Sequence, residues 1–193
     1  MDNKLKGKDL INIGIFAAIY FVINMVLSFM GFVPILLLLM VVITPIVGGT
    51  PFMLFLTKVK KFGMITIFAF IIGLLMMLTG MGFYAIFTSL VFGLAADFIA
   101  KSGNYSSKSK TFLATAVYSC WVWGNYLPIF IGREAYVAQY AEKGMEEYAN
   151  TMMSITPMWV CPLMLVAAFI AGVIGALIGK ALLKKHFERA GIA

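Results

Sequence analysis

The chain has 193 residues, of which 62% are hydrophobic and only 12% are charged, and its mean hydropathy is +0.98. Because a soluble domain carries about 25% charged residues, this composition excludes an ordinary water-soluble protein and predicts an integral membrane protein. The formal net charge is +7, but the basic residues lie between apolar runs rather than on one amphipathic face. We therefore expect contact with the lipid bilayer and no nucleic-acid partner.

Six apolar runs are each about as long as a membrane crossing requires, since a spanning helix needs ~20 apolar residues. They cover residues 10–30, 33–57, 62–81, 83–100, 111–131 and 157–183. The basic segment that precedes the first run leads to no small-residue cleavage site, so this run is expected to be a retained span rather than a signal peptide. The sequence predicts one all-α integral membrane domain over residues 1–193, with six transmembrane helices.

The second run has two interpretations, a kinked crossing or a re-entrant hairpin, because it contains Pro45 and the sequence GGTP at residues 48–51. The positive-inside rule favours the crossing. With a cytoplasmic N-terminus and six crossings, only Arg133 and Lys143 of the 15 basic residues lie outside. A hairpin would also place the lysine cluster at residues 58–61 outside. Both the N- and C-termini are therefore predicted to be cytoplasmic.

Residues 133–156 form the one long outer connection, between spans five and six. Apolar residues recur in it at helical spacing, whereas Glu142, Glu146 and Glu147 occupy other positions around the turn. This pattern predicts a short amphipathic outer helix that lies on the membrane surface. The aromatic sequence WVWGNYLP at the end of the fifth run is then at the outer end of its span.

Small residues recur in the first and the last spans. Gly14 and Ala18, with Ala17 beside them, share a face in the inner half of the first span, and small residues four apart let helices approach closely in lipid. Docking to a partner and packing within the chain are both compatible with this spacing. The last span has a longer stripe, for which internal packing is expected: Ala168, Gly172, Ala176 and Gly179.

Asp97 is the only acidic residue inside a predicted span, which makes it a candidate for proton coupling. It lies near the inner end of the fourth span, and Lys101 follows at salt-bridge spacing, so a structural ion pair is favoured. The spans contain no histidine and no paired carboxylates, and the chain has no metal-ligand cluster or Walker motif. We expect no enzyme activity, and no metal or cofactor in this chain.

The fifth span carries an aromatic face with one amide. Tyr118, Trp121 and Asn125 fall at i, i+3 and i+7, on one side of an α-helix. Because a bare amide against lipid is costly, this face suits a bundle interior or a flat ligand. Trp123 and Tyr126 fit an interfacial belt equally well.

We predict a substrate site between the outer halves of spans four, five and six, beneath residues 133–156. Aromatic rings would stack on the substrate, and the amide would orient it by hydrogen bonds. Arg133 would bind a carboxylate or phosphate, or else pair locally with Glu134 or Glu142. The predicted site residues are Tyr84, Tyr118, Trp121, Asn125, Arg133 and Trp159.

Six spans in 193 residues, the small-residue pair in the first span and the aromatic outer end together resemble a known family. They are similar to the S component, the substrate-binding membrane subunit of energy-coupling-factor (ECF) transporters. The sequence WVWGNYLP, the acidic outer loop and the sequence TPMW before the last span resemble most the Trep_Strep branch. The likeness covers nearly the full length.

This resemblance implies a binding subunit in the bacterial cytoplasmic membrane that captures a vitamin or another micronutrient at the extracellular face. The implied partners are a transmembrane scaffold subunit and two ATPase subunits, which hydrolyse the ATP. The docking signature of the family is Ala-xxx-Ala in the first span, and Gly14 and Ala18 match it with one Ala-to-Gly difference. The alternative function is a small autonomous proton-coupled transporter or exporter that uses Asp97.

Overall fold

The computed structural model describes residues 4–81 and 83–187, and within these ranges all the regular elements are helices. The predicted position of the two chain ends falls on residues outside this description. The α-helices are α1 (Gly7–Ser28), α2 (Pro34–Lys58), α3 (Met64–Met76), α4 (Tyr84–Ser102), α5 (Lys108–Ser119), α6 (Leu127–Ile131), α7 (Arg133–Ala141), α8 (Glu146–Ile155) and α9 (Val160–Leu182). Residues Phe29–Phe32 and Cys120–Tyr126 form 3₁₀ helices, and Met77–Met81 and Leu183–Phe187 form π-helical turns.

Four helical stretches in the described ranges are long and apolar enough to cross a membrane. They are Gly7–Phe32, Pro34–Lys58, Tyr84–Ser102 and Val160–Lys185. The third predicted span is a shorter apolar helix, Met64–Gly80. The fifth predicted span is divided into α5, the 3₁₀ helix Cys120–Tyr126 and α6. The hydropathy of the chain therefore marks these two segments but misses their breaks.

Helix α2 runs without interruption through Pro45 and Pro51. Each proline removes one main-chain hydrogen bond and commonly bends a helix, but neither ends this one. The interpretation of this run as a re-entrant hairpin is therefore wrong, and residues 34–58 form one continuous helix.

Residues 133–156 contain two helices, not the single helix predicted from their pattern. Helix α7 ends at Ala141 and α8 begins at Glu146. Gly144 between them has φ +72°, a left-handed conformation that glycine adopts without steric cost. The turn at Gly144 folds α8 back onto α7.

Helix α9 packs against α2 and α5 through the small residues of its stripe. A Cβ atom at Gly49 would lie 2.6 Å from Gly175 Cα, and one at Gly172 would lie 2.6 Å from the Ser119 side chain. Ala168 and Ala176 are fully buried. The predicted internal packing of this stripe is confirmed, because no larger side chain would fit at these contacts.

An aromatic cluster fills the middle of the bundle, where α1, α2, α3 and α5 meet. Tyr118 stacks on Phe52 with ring centroids 4.3 Å apart, and Phe68 lies edge-on to Tyr118. The Trp121 Nε1–H donates a hydrogen bond of 3.0 Å to the Tyr20 hydroxyl. All five side chains are almost completely buried, so the cluster is a packed core.

Asp97 is buried between α4 and the start of α3. Its Oδ2 accepts hydrogen bonds from Gly63 N (2.8 Å), Thr66 N (3.1 Å) and Thr66 Oγ1 (2.9 Å). The carboxylate thus caps the N-terminus of α3, where the helix dipole favours a negative charge. The predicted pair with Lys101 is wrong, because the Lys101 ammonium lies over the Phe62 ring, 4.9 Å from its centroid.

Candidate functional site

A cavity of about 490 Å³ lies at the end of the bundle where α7 and α8 sit. Its partly open wall is formed by the α1–α2 turn, the end of α3, the 3₁₀ helix with α6, and the α7–α8 hairpin. Its volume falls within the range of roughly 300–1,000 Å³ that is usual for small-molecule sites. A larger concavity, of about 630 Å³, is lined by exposed residues of α8 and the preceding turn, so it offers no enclosed surface.

Asn125 lines this cavity because residues 120–126 form a 3₁₀ helix. Successive residues turn by about 120° in a 3₁₀ helix and by about 100° in an α-helix. Between Trp121 and Asn125 the two geometries differ by about 80°. The prediction that Tyr118, Trp121 and Asn125 share one face is therefore wrong, and only Asn125 reaches the cavity.

Two buried polar atoms of the cavity wall make no hydrogen bond within the described part of the chain. They are Asn125 Oδ1 and the Tyr136 hydroxyl oxygen. Tyr136 as a whole is 8% exposed. Because buried polar atoms normally have partners, these two groups are the ones most available to a ligand.

Three tyrosines of the α7–α8 hairpin form a stack along one side of the cavity. Tyr140 lies between Tyr136 and Tyr148, with centroid distances of 4.5 and 5.3 Å. The Tyr148 hydroxyl donates a hydrogen bond of 2.6 Å to Gly31 O. This bond connects α8 with the α1–α2 turn. Burial raises the pKa of Tyr148 to about 12 and raises the pKa of Tyr136 as well. These phenols are therefore uncharged hydroxyl groups at neutral pH.

Lys143 is the charged side chain among the described lining residues. Its ammonium lies over the Tyr140 ring, 5.5 Å from the centroid, at a distance where a cation is attracted to an aromatic face. The lining residues in the described ranges include no Asp or Glu. The one formal charge among the described lining residues is therefore positive, on an exposed side chain.

Five of the six predicted site residues are absent from the described lining of the cavity, and four of them belong to other parts of the bundle. Tyr118 and Trp121 belong to the aromatic core. Trp159 is 66% exposed at the start of α9, and Tyr84 is half-buried at the start of α4. Tyr126, for which an interfacial belt was one interpretation, is 3% exposed and donates to Leu37 O at 2.9 Å.

Arg133 contacts main-chain oxygens rather than the cavity. Its guanidinium donates to Thr156 O at 2.6 Å and to Met153 O at 2.9 Å. Neither proposed partner, a bound anion or the carboxylate of Glu134 or Glu142, is needed to account for its position. Arg133 holds the end of α8 against the start of α7.

The sequence analysis missed the tyrosine stack and Lys143. Tyr136 and Tyr140 lie four residues apart on one face of α7, so their spacing was a usable signal. Tyr148 joins them only because the chain turns back at Gly144. Gly144 is a usable signal for the turn, but the approach of the α1–α2 turn to α8 leaves no pattern in the sequence.

The three small residues of the first span point in different directions. Gly14 and Ala18 are exposed, and a Cβ atom on Gly14 would meet no other atom within 4 Å. Ala17 is 1% exposed and packs inside the bundle. Only Gly14 and Ala18 therefore offer a surface to another helix.

Comparison with known families assigns the chain. The model of the family described as "Hypothetical bacterial integral membrane protein (Trep_Strep)" matches residues 7–189. Searches of curated proteins and of solved structures found no match. Together with the four long apolar helices, the family match makes this a multi-pass membrane protein of bacteria. Because the match spans nearly the whole chain, the protein belongs to the Trep_Strep family of bacterial integral membrane proteins.

Proposed function

We propose that the protein is the S component of an ECF-type importer, which captures a vitamin or another micronutrient at the extracellular face. The observation that carries this proposal is the cavity of about 490 Å³ with the unpartnered Asn125 Oδ1 and Tyr136 hydroxyl in its wall. The wall combines apolar side chains with polar groups that converge on the cavity, and such polar groups orient a bound small molecule.

The proposal includes six crossings with both chain ends in the cytoplasm. Residues 64–81 would rise by roughly 27 Å, close to the ~30 Å of the hydrocarbon layer. The divided helix at residues 108–131 would rise by roughly 40 Å. The lysine cluster at residues 58–61 lies at the α2–α3 turn, whereas the cavity adjoins the opposite ends of α1 and α3. By the positive-inside rule the cavity faces outside.

The proposed partners are a transmembrane scaffold subunit and two ATPase subunits, which supply the energy of ATP hydrolysis. Gly14 and Ala18 are the proposed docking residues. Their exposure supports this role, since a bare stretch of helix backbone lets a second helix approach closely. Ile11, Ile15 and Val22 extend the same exposed apolar surface along α1.

Proton coupling through Asp97 is a weaker alternative. A coupling carboxylate faces the substrate path or a water-filled cavity, but Asp97 caps α3 and is absent from the described lining of the cavity. Its three hydrogen bonds instead indicate that it stabilises the start of α3, at the lysine-rich end of the bundle.

Co-expression of the chain with a scaffold subunit and two ATPases tests the proposal. We expect all four proteins to purify together, and Gly14→Trp or Ala18→Trp to abolish this association while leaving ligand binding unchanged. Val91→Trp is the matched control, because Val91 is 62% exposed on α4, away from α1. Transport by the chain alone in liposomes, lost in Asp97→Asn, would instead establish the proton-coupled alternative.

A further inference from the structure

We propose that the cavity binds a planar heteroaromatic molecule that is uncharged or anionic and carries an N–H donor. Calling this molecule the transported substrate rests on the proposed function. Its chemistry follows from the cavity wall alone, through the charge, the ring surfaces and the hydrogen-bonding groups described above.

The charge of the described lining favours a neutral or anionic ligand over a cationic one. Lys143 is the charged group among the described lining residues, and no carboxylate in those residues would compensate a bound cation. Desolvating an unpaired cation is costly, and repulsion by the Lys143 ammonium would add to that cost. An anionic group near Lys143 would gain attraction, and a neutral ligand would avoid both penalties.

The tyrosine stack favours a flat ring. Tyr140 and Tyr148 are nearly parallel, with an interplanar angle of 6°, and Tyr136 is inclined by 28° to Tyr140. The hydroxyl of Tyr148 is bonded to Gly31 O, so this ring is fixed in place. Tyr140 is covered by its two neighbours, so a ligand meets the edges or the outer rings of the stack. Aromatic ligands pack edge-on or offset against such rings, whereas a puckered aliphatic ring makes fewer close contacts with them.

The unpartnered groups define the polar contacts of the ligand. Asn125 Oδ1 can only accept a hydrogen bond, so it requires an N–H or O–H on the ligand. The Tyr136 hydroxyl can donate to a ring nitrogen or a carbonyl oxygen. A ligand without the donor would leave the amide oxygen buried and unsatisfied. The site should therefore discriminate strongly against such a ligand.

A panel on one ring scaffold tests each element of the proposal with the full-length chain in lipid nanodiscs. The probes are indole-3-acetate, 1-methylindole-3-acetate without the donor, tryptamine with a cationic side chain, and cyclohexylacetate without a planar ring. Binding is measured by calorimetry at millimolar probe concentration. We expect indole-3-acetate to bind, its N-methyl analogue to bind roughly five- to a hundredfold more weakly, and tryptamine and cyclohexylacetate to bind more weakly than indole-3-acetate.

Variants of two lining residues, with one control, test which side chains distinguish the probes. Asn125→Leu should bind indole-3-acetate and its N-methyl analogue with equal affinity. The ratio of these two affinities does not depend on the stability of the variant. Lys143→Gln should weaken indole-3-acetate by roughly two- to fivefold, as expected for an exposed charge pair. Lys108→Gln, at the start of α5 and away from the cavity, is the control and should bind as the unchanged protein does.

Binding of tryptamine as tight as that of indole-3-acetate, or no binding by either indole acid, would overturn the proposed ligand class. Neither result would affect co-purification with the scaffold subunit. Conversely, the expected panel together with a chain that never associates with a scaffold would refute the importer function and leave the ligand class standing.

Discussion

Arg133 shows how one side chain can hold part of a binding site without touching a ligand. The last carbonyls of an α-helix lack partners within the helix, and they carry the negative end of its dipole. Arg133 donates to two such oxygens at the end of α8, those of Met153 and Thr156. Through these two bonds the α7–α8 hairpin keeps its tyrosines against the cavity.

Arg133→Ala should therefore loosen the hairpin whatever the charge of the ligand. Each hydrogen bond from a charged donor contributes about 1.5–3 kcal/mol, so losing two should lower the local stability of α8 by roughly 3–6 kcal/mol. Arg133→Lys should recover part of the lost stability. Its ammonium can reach one carbonyl but lacks the planar guanidinium that donates to two. Hydrogen exchange of the α8 amides measures the effect, with Lys143→Gln as a charge-matched control. Unchanged exchange in Arg133→Ala would contradict this role.

Asn125 could be predicted from the sequence as a residue of the candidate site. For other residues the predicted contacts differ from those in the structure. Asn125 could be predicted because a lone amide in an apolar span stands out. Arg133 also stood out, but its partners are main-chain oxygens, which no side-chain pattern marks. Trp159 and Tyr84 were expected in the wall from their sequence position alone, and the direction of a side chain at a helix start cannot be derived from position.

At the scale of elements, the 3₁₀ helix Cys120–Tyr126 determines which side chain reaches the cavity. Three residues maintain it. Thr88 Oγ1 donates to Trp121 O at 3.0 Å, and a Cβ atom on Gly124 would collide with the Thr88 side chain. Pro128 has no N–H to donate to Gly124 O, and it lies in the first turn of α6, a position that suits proline. These contacts depend on α4, so periodicity within the fifth span could not reveal them.

Gly124→Ala should force this segment away from α4. Overpacking of a tight contact commonly costs about 1–3 kcal/mol, so the unfolding temperature should fall and the affinity for the indole probe should fall with it. Gly132→Ala is the matched control, because a Cβ atom there would meet its nearest neighbour at 3.8 Å. Thermal unfolding of both variants in nanodiscs gives the comparison. Equal unfolding temperatures would mean that the contact between Gly124 and Thr88 is loose.

At the scale of the whole molecule, apolar runs located four helices well because the bilayer imposes a minimum length on each crossing. The predicted runs 10–30, 33–57, 83–100 and 157–183 correspond to the four long apolar helices. Helix α5 starts earlier than its run, at Lys108. Hydropathy does not record main-chain hydrogen bonding, so the breaks at residues 77–81 and 120–126 could not be predicted from it.

The proposed six-crossing arrangement places the two turns at Lys60 and Lys143 on opposite sides of the membrane. Single cysteines at these positions, in a chain with Cys161 replaced by Ala, should react with a membrane-impermeant maleimide from opposite faces. Lys60→Cys should be labelled only in inverted vesicles and Lys143→Cys only in intact cells. Cys120 can stay, since it is 4% exposed. Labelling of both positions from the same side would rule out six crossings.

During synthesis, α2 enters the membrane long before α9, with α3 to α8 between them in the chain. Until α9 arrives, Gly49 has no neighbour across its bare backbone, and α2 carries two prolines that leave carbonyl groups without helix partners. In hydrocarbon such groups must be satisfied by nearby helices or polar side chains. A chain that ends before α9 therefore lacks the neighbour that covers the Gly49 face of α2 in the folded protein.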